Sequence, residues 1–187
     1  EIFSGLGASA ARRLHEFRPE QVAVLVWAFA LVRWRLEKLF EAVQHDVVDR
    51  YTHFSPDSLA NVLHSFTLVG HDGAQVILEV AAPHIATNLS EYKSKALAKL
   101  VFATTKTSEP VKGDLVEILA QEFLRRADSM SMSLLTAMLL AFWKADLSNP
   151  DFFRQAASKV QACLKDFETS EFIRLLKIFA AAGAMEP

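Results

Sequence analysis

Residues 54–70 read FSPDSLANVLHSFTLVG, a single helix with both ends marked. Ser55 can accept a backbone N–H as an N-cap, and Pro56 falls in the first turn, where its missing N–H costs little. Leu59, Val62, Leu63 and Phe66 repeat at helical spacing and make one apolar stripe. Gly70 opens a turn that continues through His71, Asp72 and Gly73.

The same phrase recurs on both sides. An aromatic residue or Met, then polar residues, then an apolar helical stretch begin at Phe17, Phe54, Tyr92, Met130 and Phe167, spaced 37, 38, 38 and 37 residues apart. FRPEQVAVLVWAFALVR, YKSKALAKLVFATTKTS, MSMSLLTAMLLAFWKAD and FETSEFIRLLKIFAAAG align with the first phrase without gaps. The stripe is Val22, Leu25, Val26 and Phe29 in one copy, Leu97, Leu100 and Val101 with Thr104 in another, then Leu135, Met138, Leu139 and Phe142, and finally Phe172, Leu175, Leu176 and Phe179. Ala28, Ser65, Ala103 and Ala141 hold the eleventh place after the opening residue, where a neighbouring helix would approach closely; Ile178 departs from this.

Second helices are predicted over Leu36–Thr52, Ala74–Ser90, Val111–Asp128 and Phe152–Asp166, with turns at Ser108-Glu109-Pro110 and Ser148-Asn149-Pro150 and a kink at Pro83. The opening EIFSGLGASAARRLHE is similar to DFFRQAASKVQACLKDFE and reads as the second helix of a preceding unit. The expected fold is all-α, a right-handed α-solenoid of tandem 37–38-residue helix-turn-helix repeats. Its units run 1–16 (second helix only), 17–53, 54–91, 92–129, 130–166 and 167–187 (first helix only), one array over 1–187. Such an array is expected to continue beyond both ends, with the true N-terminus expected to lie upstream.

Composition agrees with a packed helical protein: 51% of the 187 residues are hydrophobic and 22% charged. The net charge of -2 provides no overall attraction to nucleic acid or anionic membrane, so any such role must rest on local patches. Cys163 is the single cysteine, which excludes internal disulfides and cysteine-rich zinc sites; it is expected to be a buried small hydrophobe. The longest apolar run, Val22 to Val32, is half of what a membrane span needs (roughly 20 residues), so no membrane insertion is expected.

No HExxH, glycine-rich phosphate loop or nucleophile elbow occurs, and His15, His45, His53, His64, His71 and His84 lack metal-ligand spacing. They read as surface or capping histidines. The sequence thus points to a non-enzymatic protein without metal or cofactor.

Opposite the core stripe, the third, seventh, tenth and fourteenth places share one direction. They hold Glu20, Val24, Trp27 and Leu31; Asp57, Asn61, His64 and Leu68; Lys95, Lys99, Phe102 and Lys106; Ser133, Ala137, Leu140 and Lys144; Ser170, Arg174, Lys177 and Ala181. One reading is an RNA surface in which Lys95, Lys99, Lys106, Lys144, Arg174 and Lys177 contact phosphates while Asn61 and His64 face a base. A second is a protein-docking face built on Trp27, Leu31 and Leu140. A third is an ordinary solvated face, with Trp27 packed between helices. The residue pairs Arg12-Arg13 and Arg125-Arg126 lie where cations complement helix dipoles or meet phosphates.

The period, together with Leu59, Ala60, Asn61, Ser65 and Phe66 and the close at Trp27, Ala28 and Phe29, resembles the repeats of organellar RNA-binding proteins of the heptatricopeptide and octotricopeptide type, the group containing RAP-domain and FAST-kinase-like proteins. The resemblance implies a mitochondrial or plastid location and a role in RNA processing, stability or translation. It also admits binding of ribosomal RNA as a mitoribosome component. The alternative is a scaffold subunit binding other proteins of a large organellar complex.

Overall fold

The structure, a computed structural model, describes residues 2–107, 114–145, 147, 149–162 and 169–183, with the side chains of Pro150 and Ala162 excepted. Among the described residues all regular secondary structure is helical. The architecture is all-α and compatible with an α-solenoid. Cys163, Phe167, the Ser108-Glu109-Pro110 turn and Ser148 lie outside the described residues.

The chain divides into two compact units, Glu1–Gly113 and Asp114–Pro187. The first contains α1 (Ile2–Arg12), α2 (Pro19–Leu31), α3 (Glu37–Arg50), α4 (Pro56–Val69), α5 (Gly73–Thr87) and α6 (Ser94–Thr104). Here α2 packs on α4 and α4 on α6, while α1 packs on α3 and α3 on α5, so the first and second helices each neighbour their own kind. The stripe explains this arrangement. Val22, Val26, Phe29, Leu59, Val62, Leu63, Phe66, Leu97, Leu100 and Val101 are all buried, as are Leu39, Phe40, Val43 and Val47 of α3. Burying each large apolar side chain contributes about 1.5–3 kcal/mol, and no single helical hairpin has enough apolar partners to do this alone.

The second unit contains α7 (Leu115–Arg126), α8 (Met132–Lys144), α9 (Pro150–Ala162) and α10 (Thr169–Ala181). α8 packs on α10 and α7 on α9. Phe123, Phe142 and Phe152 form an aromatic cluster with ring centroids 5.1–5.9 Å apart. Leu135, Met138, Leu139 and Phe142 are buried, but Phe172 and Leu176 of α10 are 42% and 45% exposed, so only half of that helix's stripe is covered.

Four junctions share one backbone course. A one-turn 3-10 helix (Leu14–Glu16, Tyr51–His53, Leu89–Glu91, Ala127–Ser129) leads into an extended aromatic residue or Met, whose N–H bonds back to the first carbonyl of that turn at 3.0–3.2 Å. Phe54, Tyr92 and Met130 are then buried. The following residue is also extended and opens the helix; at Ser55 and Ser131 its hydroxyl accepts from the N–H three residues on.

Gly70 ends α4 in the left-handed region (φ 66°), with its N–H on the carbonyls of Phe66 and Thr67. Gly73 starts α5 in a space too small for a side chain: a Cβ would lie 2.5 Å from Gln44 Oε1 and 2.7 Å from the Phe66 ring. One expectation changes: Ala28 is exposed instead of closely approached, unlike buried Ser65, Ala103 and Ala141. Pro83 lies inside α5, on its exposed side.

Candidate nucleic-acid interface

The tenth place of each first helix points away from the core stripe, and lateral packing of α2, α4 and α6 brings three such residues into a row. The Trp27 and His64 rings lie 5.8 Å apart, and His64 and Phe102 5.2 Å apart. All three are half-buried. Their contact joins residues assigned above to different readings: Trp27 to protein docking or packing, His64 to a base.

The seventh place adds a polar line beside the row. Lys99 Nζ donates to Asn61 Oδ1 across one repeat length and also sits 5.5 Å from the Trp27 ring centroid, reaching past α4 to α2. Lys106 Nζ lies 5.8 Å from the centroid of Phe102. Lys95 and Lys106 are exposed. Among the described residues no carboxylate pairs with Lys95, Lys99 or Lys106, whereas Lys93 lies 3.5 Å from Asp57. Unpaired cations over aromatic faces therefore concentrate positive charge here, despite the slightly acidic whole chain.

Burial lowers the His64 pKa to about 4, and the nearby Lys99 ammonium acts in the same direction. His64 is neutral at pH 7. Its Nδ1 is buried without a hydrogen-bond partner.

Around the row, Val24 and Leu31 of α2 are 65% and 61% exposed. Leu68 is half-buried. In the second unit Leu140 is half-buried, and Lys144 on α8 and Arg174 and Lys177 on α10 are exposed. Three of the four paired arginines engage acids: Arg13 bonds Glu16 in the 3-10 turn after α1, and within α7 Arg125 and Arg126 both bond Glu122, holding its carboxyl below the usual range. Those contacts favour a local structural role for these three over free phosphate contact.

The other histidines take different places. His71 is buried against the Phe40 and Phe66 rings, and its Nδ1 accepts the Gly73 N–H at 2.9 Å, so it caps α5 from inside the core and is not a surface residue. Burial lowers its pKa, with Glu37 opposing. His84 stacks edge-on with Tyr51 and lies beside Asn88. Among the described residues no group of three or more His, Cys, Asp or Glu is placed to hold a metal ion, and no helix is long and apolar enough to cross a membrane.

The part played by Phe102 and the Asn61–Lys99 contact were missed at the sequence level. The signal was present: Trp27, His64 and Phe102 share the tenth place, and Asn61 and Lys99 share the seventh. Arg33 and Arg35 were missed too. They donate to the carbonyls of Leu68 and Gly70 at 2.9 and 2.6 Å, tying the first turn to the C-terminus of α4. The chain matches no protein-family model, and a search of curated proteins gave no significant match.

Proposed function

We propose that this chain is a non-catalytic protein of tandem 37–38-residue helical repeats, stacked as a right-handed α-solenoid, that binds single-stranded RNA. The observation carrying the reading is the Trp27–His64–Phe102 row with Lys95, Lys99 and Lys106 around it. Aromatic faces stack on bases of any sequence, and unpaired lysines neutralise phosphates while releasing counterions. Lys144, Arg174 and Lys177 provide further exposed cations in the second unit.

The resemblance to heptatricopeptide and octotricopeptide proteins supports an organellar setting, in the mitochondrion or a plastid. There the protein acts in RNA processing, stability or translation, ribosomal RNA of a mitoribosome being one target that fits.

Fluorescence anisotropy with labelled single-stranded RNA tests this reading. Binding is expected to weaken steeply with salt and with Lys95→Ala or Lys106→Ala. An affinity insensitive to salt and to both substitutions would overturn it. Exposed Val24 and Leu31 favour one alternative, a scaffold docking another organellar protein. Leu31→Asp would then abolish partner co-purification while leaving RNA affinity unchanged.

A further inference from the structure

Asn61 and Lys99 occupy the same place in successive repeats, and their contact restricts what either can offer a ligand. An ammonium only donates hydrogen bonds, so the Asn61 amide must turn its oxygen toward Lys99 Nζ. Lys99 then takes one of that oxygen's two lone pairs. What remains is the Asn61 Nδ2 group and the other Lys99 N–H bonds, two sets of donors flanking an oxygen whose second lone pair lies beside the ammonium.

The two purines differ where such donors would meet them. Guanine presents adjacent acceptors, O6 and N7, whereas adenine presents N7 beside an amino donor. An asparagine with a free carbonyl reads adenine through both groups; here an adenine amino group would meet the Lys99 ammonium donor against donor, whereas guanine O6 can accept from it. The stacking area of the two purines is nearly equal, so the aromatic row does not separate them. Neutral His64 adds no charge to bias the choice.

We propose, resting on the RNA-binding reading above, that the Asn61–Lys99 pair beside the Trp27–His64–Phe102 row selects guanine over adenine at one position of a single strand. Lys99 has a double role in this arrangement. It donates to the base and fixes the amide so that Asn61 donates as well.

The test is anisotropy titration of the 187-residue chain with uridine strands of about 12 nucleotides carrying one central guanosine, inosine, adenosine or 7-deazaguanosine. Guanosine and inosine strands are expected to bind roughly tenfold more tightly than the adenosine strand, with 7-deazaguanosine between them. Asn61→Asp replaces the amide donor with an acceptor that still pairs with Lys99, and it should remove the preference while circular dichroism remains helical. Guanosine and adenosine strands binding within about twofold of each other, or a preference that survives Asn61→Asp, would overturn the proposal and leave RNA binding standing. If no strand binds even at low salt, the RNA-binding reading fails, and this inference with it.

Discussion

His64 connects burial, charge and pH in one side chain. Its folded-state pKa of about 4 lies below the ordinary value of 6.5. As pH falls through this interval the unfolded chain takes up the proton first, so stability is greatest above about pH 6.5 and declines toward pH 4. His71, lowered by burial as well, acts in the same direction. Allowing for partial exposure, His64 should contribute a loss on the order of 1 kcal/mol between pH 7 and pH 5. Urea denaturation at both values measures it: the midpoint should fall at pH 5, and His64→Gln should reduce that fall. A midpoint equally pH-dependent in the variant would assign the effect elsewhere. Gly73 offers a second measurement. Its missing side chain leaves room for Gln44, Phe66 and His71, so Gly73→Ala should destabilise by about 1–3 kcal/mol in the same assay.

At the scale of the element, helix starts carry the repeat. Ser55 and Ser131 cap α4 and α8 with their hydroxyls, while Arg18 donates its own N–H to Gln21 Oε1 at 2.9 Å at the start of α2. Ser55→Ala should therefore cost about 1 kcal/mol, read as a lower melting temperature. Arg33 and Arg35 place cations at the C-terminal carbonyls of α4, where the helix dipole favours them. Arg35 also bonds Glu37 through both oxygens. Arg35→Ala should speed amide hydrogen exchange in the last turn of α4 more than in its centre. Uniform exchange across α4 would mean that this contact does not hold the helix end. Neither arginine was foreseen, because their contacts span 35 residues of sequence and depend on how one turn meets the next helix.

For the whole molecule, a net charge of -2 coexists with a local group of unpaired lysines. If Lys95 and Lys106 each neutralise one phosphate, log affinity should fall against log salt with a slope of about -1.4 from these two alone, at about 0.7 per contact for single strands. Replacing Lys95 and Lys106 together by Ala should flatten the slope by roughly 1.4. An unchanged slope would place the phosphate contacts on other cations.

Much of the fold follows from local chemistry. Leu59, Val62, Leu63 and Phe66 specify a helix and its buried side through spacing, while Ser55, Pro56 and Gly70 specify its ends, so the sequence alone determined the helical class, the helix positions and the core stripe. The candidate site was legible only as a direction: the tenth and seventh places were visible as outward-facing, but not which of their residues touch. That required the lateral packing of α2, α4 and α6, because the reach of Lys99 across two helices and the approach of His64 to Trp27 and Phe102 depend on distances between helices. The burial of His71 likewise came from tertiary structure, since a turn residue enters the core only when Phe40 of a different helix is there to receive it.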